Sequence, residues 1–159
     1  MNFFLLIQNA VMAALAATGF GMIFNVPKKA IGFCAMCGAF GVSIRKMLVV
    51  LTDGSVSVAL ATLAAATIVA FAAEFLSRKM RMPPTTFSVP GVIPMIPGSL
   101  MFRSIVYAFG MVSGGTESFD AVLFGKGFEL AANATVILAS IALGVAAPNL
   151  IFYRRRSET

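Results

Sequence analysis

Four stretches of this 159-residue chain carry no charged side chain: residues 1–27, 54–73, 82–102 and 130–153. Each reaches or exceeds the roughly 20 residues that a bilayer-spanning helix needs. Charged residues make up only 11% of the sequence, against about 25% in a soluble domain. The mean hydropathy is +0.94. The reading is an all-α polytopic membrane protein of about five transmembrane helices, forming a single transmembrane domain over residues 1–159. The N-terminus lacks a basic leader region, and its apolar run is too long for a secretory signal, so it reads as a retained first span.

The expected spans are residues 3–24, 30–51, 55–76, 98–112 and 127–152. Pro27 and the turn Thr52-Asp53-Gly54 punctuate the first half. Basic residues cluster as Lys28-Lys29, Arg45-Lys46, Arg78-Lys79-Arg81 and Arg154-Arg155-Arg156. With the N-terminus outside and the C-terminus inside, all but the Arg45 pair face the cytoplasm, while Asp53, Glu117 and Asp120 fall outside. No basic face with interleaved aromatics is present, which argues against nucleic acid as a partner.

Before the fourth span lies an unusual segment, residues 90–98, of sequence Pro-Gly-Val-Ile-Pro-Met-Ile-Pro-Gly. Each proline removes a backbone donor and disrupts a helical turn. At membrane depth the freed carbonyls must be satisfied by protein, water or solute. Pro94 and Pro97 are expected to leave the carbonyls of Pro90 and Ile93 without helical partners. Two readings stand: an interfacial connector, or a broken element of the kind transporters use to bind solutes.

Ionisable groups inside spans are few. Only residues 30–44 precede Arg45 without charge, about 22 Å of helix. Arg45 therefore either snorkels to an interface or faces an interior path, where it attracts a carboxylate. Glu74 stands four residues before Arg78, as an interfacial pair or as a protonatable coupling site. Arg103 faces protein or water, or snorkels. Glu129, Asn133, Ser140 and Gly144 share one helical face, which is expected to meet other helices or a solute path. The third span is rich in alanine, which permits close helix approach in lipid, and Gly110-x-x-x-Gly114 is a weaker signal of the same kind.

Enzyme chemistry finds no footing. The chain has no histidine, which removes the usual nucleophilic triads. Cys34 and Cys37 form a lone C-x-x-C that cannot complete a four-ligand zinc site. They read as small packing residues, with a redox pair as the alternative. No cofactor is expected, and the chain is not expected to be an enzyme.

Two segments resemble a known family. Residues 19–27, Gly-Phe-Gly-Met-Ile-Phe-Asn-Val-Pro, are similar to the end of the first span in the small subunit of the threonine/serine exporter family. Thr86-Phe87-Ser88-Val89, followed by residues 92–98, is similar to that family's central motif. Order, spacing and length agree along essentially the whole chain. The resemblance extends to the small subunit of a bacterial succinate exporter. It implies a multi-pass protein of the cell inner membrane that exports small carboxylates or amino acids by secondary-active transport. It also implies a larger exporter subunit as partner, with a homo-oligomer possible when the chain is alone. Asn25, Pro27, Pro94, Pro97 and Gly98 fall on the motifs, and Arg45 on a basic position. The expected solute path comprises Asn25, Arg45, Pro90, Gly91, Pro94, Pro97, Gly98 and Arg103, with Glu74 and Glu129 as candidates for proton coupling. A structural or assembly subunit that touches no solute is the alternative.

Overall fold

The computed structural model describes residues 3–52, 56–113 and 121–153. Its described elements are helical: α1 (Phe3–Ile23), α2 (Lys28–Leu51), α3 (Val58–Met80), α4 (Thr85–Val92), a 3-10 turn (Ile93–Met95), α5 (Gly98–Ser113) and α6 (Ala121–Tyr153). Four helices are long and apolar enough to cross a bilayer, or five if the broken pair Thr85–Met95 and Gly98–Gly110 counts as one span. The all-helical, multi-pass expectation holds. Asp53, Gly54, Gly114, Glu117, Asp120 and the arginines at 154–156 lie outside the described residues.

The spans form because alanine, leucine and other apolar residues dominate them and each satisfies its own backbone bonds. Their ends are set by local chemistry. Asn25 has φ 55°, the left-handed conformation that ends a helix. There Val26 N–H donates to the carbonyl of Gly21 at 2.9 Å and Asn25 N–H to that of Met22 at 3.0 Å, a complete Schellman pattern. Arg81, at φ 54°, ends α3 the same way, with Met82 N–H donating to the Ser77 carbonyl at 3.2 Å. Ser57 caps the start of α3 by accepting from Leu60 N–H at 3.3 Å.

The chain divides into two units, Met1–Ile96 with Ser140–Thr159, and Pro97–Ala139. In the first, α2 packs against α1, α3 and α4. Small residues make the contacts. A Cβ placed on Gly38 would lie 2.6 Å from the Ala17 Cβ and 3.0 Å from the Ala13 carbonyl oxygen. On α3 the buried stripe is Ala61, Ala65, Ala66, Val69, Ala70 and Ala73, while Ala64 and Ala72 are exposed. The expectation of a small-residue packing face on the third span is met along that stripe. A Cβ on Gly144 of α6 would come within 2.7 Å of the Ala66 Cβ and 3.0 Å of the Leu63 carbonyl and Thr67 amide of α3. Outward, large apolar side chains stand exposed, among them Phe4 (76%), Phe75 (69%) and Leu150 (71%). That surface suits a hydrocarbon solvent rather than water.

In the second unit, Gly127 of α6 lies close to α5: its Cβ would sit 3.1 Å from the Tyr107 Cβ. The stripe expected on α6 is met at Gly144, which is buried against α3, and not at its start. Glu129 and Asn133 are exposed. In this unit the buried positions of α6 are Ala134 and Ile137. Apolar side chains take that face because burying a carboxylate or amide requires a partner for each polar atom. Gly110 is exposed, and a Cβ added there would meet Leu123 Cδ2 of α6 at an ordinary 3.5 Å, so the G-x-x-x-G signal marks no tight crossing at its described end.

The α3–α6 contact predicts a substitution pattern. Gly144→Leu should destabilise the chain by about 2 kcal/mol through overpacking, lowering its thermal midpoint in detergent by circular dichroism. Gly32→Ala, where nothing lies within 4 Å, should leave the midpoint unchanged or raise it.

Candidate functional site

The proline-rich segment follows directly on α4, and its fate is decided by one stripe of α2. Pro90 lies inside α4 and lacks the N–H that would bond the carbonyl of Thr86. That carbonyl instead accepts from the Cys34 thiol at 3.3 Å. One turn further along α2, Cys37 meets Gly91, where an added Cβ would lie 2.8 Å from the Cys37 Cβ and 3.2 Å from a Val69 methyl. Gly41 then leaves room for Met95: a Cβ there would overlap the Met95 methyl and sit 2.9 Å from Val69 Cγ2. Finally, the Arg45 guanidinium donates through Nη1 to the Met95 carbonyl at 2.7 Å. Residues 34, 37, 41 and 45 recur at helical spacing, so they lie along one face.

These contacts settle the depth of the segment. Val69 is the middle residue of α3, and Gly41 is close to the middle of α2. Met95 is fully buried between them. The broken element therefore reaches half the height of the α2–α3 pair. Its polar accounting differs from the sequence expectation at one carbonyl. Ile93 is not left open: the 3-10 turn closes on it, Ile96 N–H donating to the Ile93 carbonyl at 3.0 Å. The side chain that Arg45 serves is instead none at all but the main chain at Met95, where Ile96 turns extended (ψ 130°) and the helical ladder stops.

At the other end of α4 a cleft of about 290 Å³ opens. Its walls are Phe24, Asn25, Val26 and Pro27 from the α1–α2 turn, with Thr85, Thr86, Val89 and Pro90 from α4. Asn25 and Pro27 shape the turn, the first by its left-handed backbone and the second by closing the first turn of α2, its carbonyl accepting from Ala30 N–H at 2.7 Å. The lining mixes hydroxyls, one amide and apolar carbons. The structure thus brings Asn25, Pro27 and Pro90 to one cleft, and Arg45, Gly91 and Met95 to the break. Pro94 sits in the 3-10 turn. Pro97, Gly98, Arg103 and Glu129 belong to the second unit, where Arg103 and Glu129 are exposed.

Glu74 accepts from Arg78 at 3.2 Å across one helical turn, as the spacing implies. Arg78 is 62% exposed, so the pair contributes little stability. Sequence reasoning missed Thr85 as a wall of the cleft, and it missed the roles of Cys34 and Cys37 in seating α4. The thiols are free and buried. The signal was there: Cys34 and Arg45 lie three helical turns apart on one face, opposite a segment with carbonyls to spare.

Two motif segments, far apart in sequence, meet at this cleft. The family model described as "Threonine/Serine exporter, ThrE" matches residues 9–151. The chain belongs to the threonine/serine exporter family. A relative from Haemophilus influenzae, described as an uncharacterized protein, is 32% identical over 151 residues. The match covers 95% of this chain and 49% of that protein, so the chain spans about half the length of the curated relative it matches. No solved structure matches. Membership of a transporter family agrees with a multi-pass membrane protein.

The Arg45 contact makes a prediction. Arg45→Met leaves the Met95 carbonyl without its donor and should cost about 1–3 kcal/mol. Arg45→Lys should recover part of it. Thermal unfolding of the purified chain in detergent reads both.

Proposed function

We propose that this chain is the small subunit of a secondary-active exporter of small carboxylates or amino acids, of the succinate, threonine or serine type, in a bacterial inner membrane. The observation that carries the reading is the pairing of a polar cleft, walled by Asn25, Thr85 and Thr86, with a helix broken at half height beside it. Solute transporters build their paths from such discontinuous helices, because unwound backbone offers polar groups where regular helices offer none.

A larger membrane subunit completes the exporter in this reading. Support comes from the relative that is about twice as long as the matched region, since 151 matched residues are 49% of it. Arg45 anchors a solute carboxylate. Its bond to Met95 uses Nη1, and an arginine carries five N–H donors in a fork suited to a carboxylate. Lys28 and Lys29, next in sequence after the cleft residue Pro27, draw anions toward it. Proton coupling falls to a carboxylate, either Glu74 once released from Arg78, or Glu129, or one in the larger subunit.

The second reading is a scaffold subunit that touches no solute. The tight glycine and alanine contacts of α2, α3 and α6 favour it. Efflux separates the two. Cells carrying this chain and its larger partner should release labelled succinate, threonine or serine faster than cells lacking the chain. Thr86→Phe, which fills the cleft, and Arg45→Ala should each reduce efflux at least about tenfold at equal membrane abundance, a loss of roughly 1.4 kcal/mol or more. Full efflux from both variants would leave only the scaffold reading.

A further inference from the structure

A second cavity adjoins the same stripe of α2: a groove of about 260 Å³ between α2 and α3, reaching Cys37 and Val69, whose exposed lining is wholly apolar. Phe33, Met36, Phe40 and Ile44 form one wall, with Ile68 and Ala72 prominent on the other. We propose that this groove is a binding site for an anionic phospholipid, one acyl chain lying in the groove and the headgroup held by Lys29 and Lys79.

Length favours a lipid. From Phe33 to Ile44 the groove follows about 16 Å of helix. Half of a hydrocarbon core of roughly 30 Å is about 15 Å, the depth of one leaflet. A partner's transmembrane helix would call for a seam twice as long. The lining points the same way. Helix–helix seams in membranes are made of small residues that let backbones approach, whereas most of this lining is large and apolar. Phenylalanine, methionine and isoleucine walls suit a flexible acyl chain.

Charge fixes which lipid. Consecutive helices of a bundle run antiparallel, so Phe33 and Leu76 mark the same end of the groove. Lys29 lies one turn before Phe33 on α2 and Lys79 one turn after Leu76 on α3, and both are exposed. The acidic residue of this region, Glu74, is paired with Arg78 and lies two residues from Ala72, on another face of α3. A phosphate-bearing headgroup therefore meets two cations directly above the mouth of the groove. Basic pockets between helices at one membrane face are the usual site of anionic headgroup recognition.

The test uses the full chain purified in detergent and titrated with dioleoyl phosphatidylglycerol or dioleoyl phosphatidylcholine, read by native mass spectrometry and thermal shift. The glycerol lipid should bind about twentyfold more tightly than the choline lipid. Lys29→Gln or Lys79→Gln should each remove about fivefold of that preference, and the pair should abolish it. Ala72→Phe, which fills the groove without changing charge, should weaken both lipids, whereas Lys126→Gln on α6 should change neither. Equal binding of the two lipids by the unaltered chain overturns the proposal, as does a preference that survives the double change. In membranes that contain the larger subunit, a photo-crosslinker at Met36 should label phospholipid, and labelling of protein instead overturns it.

Discussion

A carbonyl without a donor is a costly thing inside a hydrocarbon medium, and the architecture of this chain follows from how three of them are met. Pro90 deprives the Thr86 carbonyl of its helical partner, and Cys34 supplies one at 3.3 Å. The ladder stops at Met95, and Arg45 supplies a charged donor at 2.7 Å. The carbonyl of Ile93 is closed locally by Ile96. Charge-assisted bonds are roughly twice as strong as neutral ones, so the deepest point of the break carries the strongest of them. Because two of the donors sit on one stripe of α2, that helix determines where the break lies.

Close approach makes those bonds possible. Gly41 and Gly91 have no side chain where Met95, Cys37 and Val69 must pass. Hydrophobic burial does not drive helices together in lipid, where packing and polar contacts decide. The first unit is accordingly stitched by glycine and alanine, and its large apolar residues are turned outward. Phe87 and Met95 are the largest of the fully buried side chains, and they secure the two ends of the broken element.

The helical spans were legible because hydropathy over twenty residues is a strong signal. The Pro-Gly break was legible because proline has no donor to offer. Its depth was not, since that rests on Gly91 and Met95 meeting the middle of α2 and α3, a tertiary fact. The carbonyl assignment at Ile93 failed because a 3-10 turn bonds three residues ahead and not four. The stripe on α6 failed at Glu129 and Asn133, which are exposed, because burying a carboxylate or amide requires partners for its polar atoms; Ala134 and Ile137 are buried instead. Asn25 was picked out for its place in a motif, and its backbone conformation shows what an asparagine does there. The cleft drew Thr86 from a quoted motif, but Thr85 carried no signal of its own.

One consequence lies in the partnership of Pro90 and Cys34. The thiol matters only because the proline is there, and the proline is tolerated in part because the thiol is there. Substitutions at two positions so far apart in sequence are therefore not independent. Replacing the proline with a residue that bears an N–H restores the helical bond and makes the thiol redundant. Groups that share a hydrogen-bond network give non-additive effects, so the two positions form one epistatic unit, a constraint on drift that acts on the pair and on neither alone.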